Sequence, residues 1–275
     1  MPRPPRSVVP HADVDLFRPT RARPVRVRSR ALAADAHFEP HRHAWAQVAY
    51  CASGMLQVSA AAPGSASGEV TYIVPPSRAV WIAPHALHSV HVLEAAQFRT
   101  LYIDASVAPP HWSGCRVLVV SPLLRELVPA LDAPRLPRPR EELLTALLLD
   151  ELRGAETQSL GVPLPPEDTG DRRLRALCEA VLRAPAERAT LAQWAADVGA
   201  SERTMARLFR EQLGTSYGRW RQQAVLAHAL PLLARGTPVG QVAFASGYAS
   251  ESAFTAMFKS AMGQPPSRFQ PRAAA

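Results

Sequence analysis

The chain repeats itself toward its C-terminal end, and that repeat constrains the fold more than any single motif does. Leu191–Gly214 reads LAQWAADVGASERTMARLFREQLG and Val239–Gly263 reads VGQVAFASGYASESAFTAMFKSAMG. Ala195 and Gly199 match Ala243 and Gly247 at an offset of 48. Ser201-Glu202, Met205, Leu208, Phe209, Arg210 and Gly214 match Ser250-Glu251, Phe254, Met257, Phe258, Lys259 and Gly263 at an offset of 49. The slip of one residue falls where a turn is expected, and turns vary most easily in length. Each copy predicts helix, tight turn, helix. The small residue lets a second helix cross closely, and the glycine four residues on can take positive φ. Ser201 and Ser250 are expected N-caps, each followed by an acid in the first turn. Met205, Leu208 and Phe209, like Phe254, Met257 and Phe258, fall on one face at helical spacing.

The opposite face of the first copy carries Arg203, Thr204, Arg207 and Arg210. That is the arrangement of a helix-turn-helix, whose second helix enters the DNA major groove. Net charge supports a polyanionic partner for this part of the chain. Of the overall +8, residues 1–30 hold 8 Arg against 2 Asp, and residues 171–275 hold 13 Arg and 1 Lys against 7 acids. Between them, residues 31–170 are acidic, with 9 Arg against 14 acids. Histidine divides as sharply, with eight of nine before residue 112. Side chains suited to metals or small polar ligands are therefore concentrated in the first half.

From about residue 24 to 120 the texture is β. Val25–Arg28 alternates apolar and charged, and Trp45–Val58 reads as strand, turn, strand broken at Ala52-Ser53-Gly54. Val70–Val74, Ala79–Ile82, His88–Leu93 and Arg99–Ile103 add short strands, which predicts an antiparallel sandwich or barrel. Ala60–Gly68 reads as a flexible hairpin loop. Pro122–Leu131 and Glu141–Arg153 carry leucines at helical spacing. In the second, Leu143, Leu144, Leu147, Leu148 and Leu152 make a wide apolar stripe that suits a homodimer. The organisation expected is a basic tail over 1–23, a β-barrel over 24–120, a helical dimerisation segment over 121–154, a linker over 155–170 and a helical unit over 171–275. Cys51, Cys115 and Cys178 are widely spaced and odd in number, which fits a reducing cytoplasm and no disulfide framework. No apolar run approaches the ~18 residues of a membrane helix, and no secretory signal is expected at the N-terminus.

Residues 171–270 resemble the AraC/XylS family of bacterial transcription regulators. The resemblance rests on Ala243-Phe-Ala-Ser-Gly-Tyr-Ala-Ser-Glu-Ser-Ala-Phe-Thr-Ala-Met-Phe-Lys259 and on Gly263-Gln-Pro-Pro-Ser-Arg-Phe269. It implies two helix-turn-helix units bridged by a long helix, here Ser216–Ala234, and binding to double-stranded DNA. Ser201, Arg203, Thr204, Arg207 and Arg210 are the expected contacts of the first unit, and Glu251, Ser252, Thr255 and Lys259 those of the second. RNA polymerase is a further candidate partner. Two departures stand out. Pro231 is expected to kink or shorten the bridging helix. Ala256 stands where many members carry a polar or basic groove residue.

In the first half, His41-Arg-His43, then Gln47, then Gly54, resembles the first cupin motif, with Gln for the usual Glu. Arg78-Ala-Val-Trp-Ile-Ala-Pro-His-Ala-Leu-His88 resembles the second, with Ala83 and His85 in place of Pro and Gly. Independently of the resemblance, side chains two apart on a strand share a face, so His41 and His43 can converge, with Gln47 in parity and His88 brought by a neighbouring strand. Three imidazoles and one oxygen suit a divalent transition metal. A neutral amide is a poorer ligand than a carboxylate, and Trp45, Tyr50, Trp81 and Arg78 beside the histidines suit a small organic anion. The expected pocket is His41, His43, Trp45, Gln47, Arg78, Trp81 and His88, holding a small-molecule effector in preference to a metal on His41, His43, Gln47 and His88. His37, His85, His91 and His111 are expected at the rim or in structural roles, and Cys51 and Cys115 as small apolar residues of the barrel. The reading is a DNA-binding regulator with a cupin sensor and no enzymatic role. The alternative is a metal-dependent cupin dioxygenase or isomerase with a helical appendage.

Overall fold

The computed structural model describes residues 7–9, 14–61, 69–158, 161–166, 169–187 and 190–270. Residues 1–6 and 10–13 of the basic tail and residues 62–68 of the Ala60–Gly68 loop lie outside the described residues. The chain forms two compact units, one of residues 1–64 and 72–161, the other of 65–71 and 162–275. Among the described residues no helix is long and apolar enough to cross a membrane.

The first unit is a pair of sheets with a helical layer. Its strands are β1 (Ser7–Val8), β2 (Val25–Leu32), β3 (Ala36–His41), β4 (Ala46–Cys51), β5 (Met55–Ala61), β6 (Glu69–Val74), β7 (Arg78–Ile82), β8 (His88–Glu94), β9 (Ala96–Ile103), β10 (Cys115–Val119) and β11 (Thr157–Gln158). One sheet runs β1-β3-β8-β5-β6 and the other β11-β10-β7-β4-β9-β2. The β3–β8, β8–β5, β10–β7, β7–β4, β4–β9 and β9–β2 pairs are all antiparallel. Residues directly opposite one another share a face. In the second sheet Ile82, Gln47 and Tyr102 form one such row, and Trp81, Val48 and Leu101 form the next on the other face.

The expected strand–turn–strand over Trp45–Val58 is present, but β4 and β5 belong to different sheets. The chain crosses between them at Gly54. Its φ is +81°, and a Cβ there would lie 2.2 Å from the Ala95 carbonyl oxygen, so no side chain fits. Strand β3 escaped the sequence reading because AHFEPH carries Pro40 and no clean alternation. Its register against β8 shifts between Phe38 and His41.

Helices α1 (Pro122–Leu131) and α2 (Arg138–Gly154) cover the outer face of the second sheet. Leu124, Leu127, Val128, Leu148, Leu149 and Leu152 share a core with Val48, Tyr50, Trp81 and Leu101. Strands β4 and β7 are thus covered on both faces, and all their residues are buried. Alternation disappears from strands of that kind. The leucine stripe of α2 divides. Leu148 and Leu152 serve the unit's own core, Leu144 packs against it, and Leu143 and Leu147 stay 73% and 41% exposed. The stretch 155–170, expected as a linker, contains β11 and a further short strand, β12 (Gly161–Leu164). Burial pushes the thiols of Cys51 and Cys115 up to about 12, and all three cysteines are unpaired. They act as small apolar side chains.

The second unit is helical: α3 (Arg172–Arg183), α4 (Leu191–Asp197), α5 (Glu202–Leu213), α6 (Tyr217–Ala234), α7 (Val239–Ala245) and α8 (Glu251–Met262). Leu174, Leu177 and Cys178 of α3, Trp194 and Ala195 of α4, Met205 and Phe209 of α5 and Trp220 of α6 form one core. Ser216 caps α6, accepting from Arg219 N. Pro231 does not shorten that helix, which runs on to Ala234. Pro231 has no N–H to give the Ala227 carbonyl one turn back, and buried Leu230 and Leu233 hold the last turn in place.

Candidate effector site and nucleic-acid interface

In the β-rich unit the structure brings His41, His43 and His88 together. One ring nitrogen from each lies within 4.8 Å of the others. His41 and His88 pair across β3 and β8, as the parity argument requires. His43 arrives by a different route. Strand β3 ends at His41, and His43 lies in the segment before β4. Its backbone carbonyl accepts from His85 N at 2.8 Å, which ties this segment to the turn before His88. His85 holds φ +64°, the left-handed conformation that explains why glycine is usual there.

The three imidazoles are oriented alike. His41 Nδ1 lies 2.8 Å from the Glu39 carbonyl oxygen, His43 Nδ1 2.6 Å from that of Trp45 and His88 Nδ1 2.9 Å from that of Ala86. A carbonyl only accepts, so each Nδ1 carries the hydrogen. Nε2 is then the nitrogen each ring can offer as a lone pair. Fixing one ring nitrogen by a hydrogen bond is how metal-binding histidines are held in tautomer and direction. Gln47 Oε1 lies 2.8 Å from His43 Nε2, which is hydrogen-bond distance and fixes the amide beside that ring nitrogen. His88 is 1%, Gln47 4%, and His43 and Trp45 each 9% exposed, while His41 is only half-buried.

Trp45 joins the site, its ring stacked on His43 with centroids 5.1 Å apart and 2° between planes. Tyr102, opposite Gln47 in the register, was not expected. It meets His43 and Trp45 edge-on at 6.1 and 6.2 Å, and Arg28 is hydrogen-bonded to it. Burial raises its pKa above the ordinary phenol value, so it stays protonated. The sequence signal for Tyr102 was register, which no single strand reveals.

Two expected pocket residues are not brought to the histidines. Trp81 lies on the other face of β7, in the core under the helices, with its ring against Trp112 at 5.1 Å. Tyr50 faces the same way. Arg78 has the parity of Ile82 but stands four residues along the strand, ~13 Å away. Its Nε donates to Gln158 Oε1 at 2.8 Å and Nη1 to the Ser77 carbonyl at 2.9 Å. Side-chain parity had been read without knowing which face the helices cover. A separate cavity of about 700 Å³, also unforeseen, lies between Arg21–Pro24 and α2. Arg23 pairs across it with Glu141, and Arg138 pairs with Glu142 along α2 itself.

In the helical unit α4, a turn at Gly199 (φ +67°) and α5 form the first expected helix-turn-helix. Ser201 caps α5, its hydroxyl accepting from Thr204 N at 3.1 Å and lying 2.9 Å from Thr204 Oγ1. Met205, Leu208 and Phe209 are buried, while Arg203, Arg207 and Arg210 are exposed on one side. Arg207 is ion-paired with Glu211, one turn on. In the second unit, Gly247 (φ +81°) turns the chain and Ser250 caps α8, accepting from Ala253 N at 3.2 Å. Phe254 and Phe258 are buried and Met257 only half so, while Glu251, Ser252 and Lys259 are exposed and Thr255 partly so.

Comparison with known proteins places both units. The family model described as an AraC-like ligand binding domain matches residues 23–208, and one described as a helix-turn-helix domain matches 194–272. The HTH-type transcriptional regulator NimR of Escherichia coli is 34% identical over 253 residues, 84% of this chain and 90% of the relative. The regulator RipA of Corynebacterium glutamicum is 33% identical over 108 residues, 39% of this chain and 32% of that protein. Among solved structures, ToxT of Vibrio cholerae has 13% identity and a TM-score of 0.37 over 89% of this chain and 96% of its own. A DNA-binding transcriptional dual regulator of Escherichia coli has 26% identity and a TM-score of 0.34, over 38% of this chain and 94% of its own. The chain belongs to the AraC family of transcription regulators, with a ligand-binding β-rich unit and a DNA-binding helix-turn-helix unit.

Proposed function

We propose that this regulator reads its operator mainly through α5 and takes its signal at the three-histidine site of a cupin-like barrel. The observation that carries the DNA reading is the row Arg203, Arg207 and Arg210 on the exposed side of a helix whose other side is fully buried. Arg203 and Arg207 read base edges, with Ser201 and Thr204 at the helix start, and Arg210 holds a phosphate. Glu251, Ser252, Thr255 and Lys259 supply groove fit and anchoring. The test is operator binding at fixed salt. Arg203→Ala and Arg207→Ala are each expected to lose about 1–3 kcal/mol and to relax one position of the site. Parent-like binding by both variants overturns the assignment.

At the sensor site the sequence favoured an organic effector over a metal. The three Nδ1–carbonyl hydrogen bonds and the placement of Gln47 favour a divalent transition metal on His41, His43, His88 and Gln47. The protein is expected to hold about one ion per chain, lost in His43→Ala. We read the metal as part of a sensor and not of an enzyme, because the unit accompanies a duplicated DNA-reading fold. Substrate turnover by the metal-loaded chain would favour the dioxygenase or isomerase alternative. Exposed Leu143 and Leu147 on α2 support a homodimer, and Leu143→Lys is the variant that tests it. Action on DNA implies a cytoplasmic location and gives RNA polymerase as a further partner.

A further inference from the structure

A divalent ion at the three-histidine site, the reading on which this inference rests, would sit among uncharged ligands. His41, His43, His88 and Gln47 are all neutral donors. The ion keeps its whole +2 charge in a site where His88 and Gln47 are buried and His41 is partly exposed. Buried charge without a counter-charge is costly, and a bound ion sets the electrostatics of everything near it. Among the described residues the cluster of metal-ligand side chains contains three histidines and no carboxylate. The Glu39 carboxylate is drawn to His37 Nε2 at 2.9 Å and is largely exposed, while only the backbone of Glu39 serves His41. Gln47 stands where a carboxylate would have removed one of the two charges.

A second observation is independent of the metal. The indole N–H of Trp45 is buried and has no acceptor among the described residues, although its ring is stacked on His43. Buried donors in native proteins nearly always find a partner. What the surroundings call for is negative charge and acceptor oxygens.

We propose that the effector is a small organic carboxylate that binds the metal ion directly and accepts a hydrogen bond from Trp45 Nε1. Metal and organic anion are then two halves of one signal, not competing occupants. The carboxylate supplies the negative charge that Gln47 does not. No bond is made or broken beyond coordination.

The test uses the full chain loaded with Co²⁺, whose visible bands report its ligands, titrated with oxalate and with the neutral diamide oxamide. Oxalate is expected to shift the bands saturably with the ion retained, and oxamide to leave them unchanged. Gln47→Glu is expected to keep Co²⁺ and to weaken oxalate by about tenfold or more, because the new carboxylate offsets charge at contact distance. Trp45→Phe should keep the ion and weaken oxalate by roughly threefold to tenfold, the loss of one hydrogen bond. Bands that oxalate leaves unmoved, extraction of the ion by oxalate, or unchanged oxalate affinity in Gln47→Glu would each overturn the carboxylate assignment while leaving the metal site intact. Parent protein that holds no more Co²⁺ than His43→Ala overturns the metal site and the carboxylate with it.

Discussion

The two helix-turn-helix units agree where they are buried and disagree where they are exposed. Phe209 of α5 and Phe258 of α8 are both fully buried, at matching places in the repeat. Ser201 and Ser250 cap their helices through the same bond to the third residue on. On the outer side, Arg203 is matched by Ser252 and Arg207 by Ala256, while Arg210 is matched by Lys259. The position assigned to phosphate stays basic in both units, and the positions assigned to base edges do not. Packing and recognition therefore constrain opposite sides of one helix separately. A duplicated fold can keep its core and lose its reading of sequence without conflict.

If the two interiors are equivalent, truncating them should hurt equally. Phe209→Ala and Phe258→Ala each remove a ring with no exposed surface, and each is expected to destabilise by about 3–5 kcal/mol. Urea unfolding of the full chain measures both. A loss below about 1 kcal/mol for Phe258→Ala alone would show that the second unit is packed more loosely than its matching residues imply.

Outside, the units should behave unequally. Arg203→Ala is expected to weaken operator binding by about 1–3 kcal/mol, and its counterpart Ser252→Ala by less than about 1. Selection from random duplexes should return one sharply defined half-site and one vague half. Two halves of equal sharpness would contradict the division. Glu211 sharpens the expectation for Arg207, since the intrahelical pair must open before Arg207 reaches a base. Glu211→Ala should therefore strengthen binding by a few tenths of a kcal/mol, the worth of an exposed pair.

The same contrast explains what was legible in the sequence. Helix α1 was read to the residue and the N-caps Ser201 and Ser250 correctly, because capping and helical period are local. His41 and His88 could be placed together from strand parity. Trp81 and Arg78 could not be placed from their own strand. Which face of β7 turns away from α1 and α2 depends on those helices, some forty to seventy residues further along the chain. How far along β7 a side chain lies from the histidines depends on register with β4. Tyr102 was missed for the same reason, being tied to Gln47 only across the β4–β9 register. The Nδ1 hydrogen bonds that orient the histidines involve backbone carbonyls, which carry no residue-type signal at all.

The smallest expected effect separates caps by their chemistry. Ser201→Ala and Ser250→Ala should each lose about 1 kcal/mol, with no dependence on pH, because a hydroxyl does not titrate in the accessible range. Asp171 caps α3 differently. Its carboxylate accepts from Arg173 N at 2.8 Å and from Leu174 N at 3.3 Å, and it holds the Arg173 guanidinium at 2.8 Å. The Arg173 side chain, with these backbone donors, brings the Asp171 pKa down to about 2. A carboxylate whose folded pKa lies below the unfolded value of about 3.9 stabilises above that value and loses the contribution as pH falls toward 2. Asp171 is partly exposed and its partner Arg173 half-exposed, so screening keeps the gain to at most about 1 kcal/mol. The difference in stability between parent and Asp171→Ala should thus shrink between about pH 4 and pH 3, while the Ser250→Ala difference stays flat. Parallel curves for the two variants would mean that Asp171 acts through shape alone, as the serines do, and that its pairing with Arg173 adds nothing to the fold.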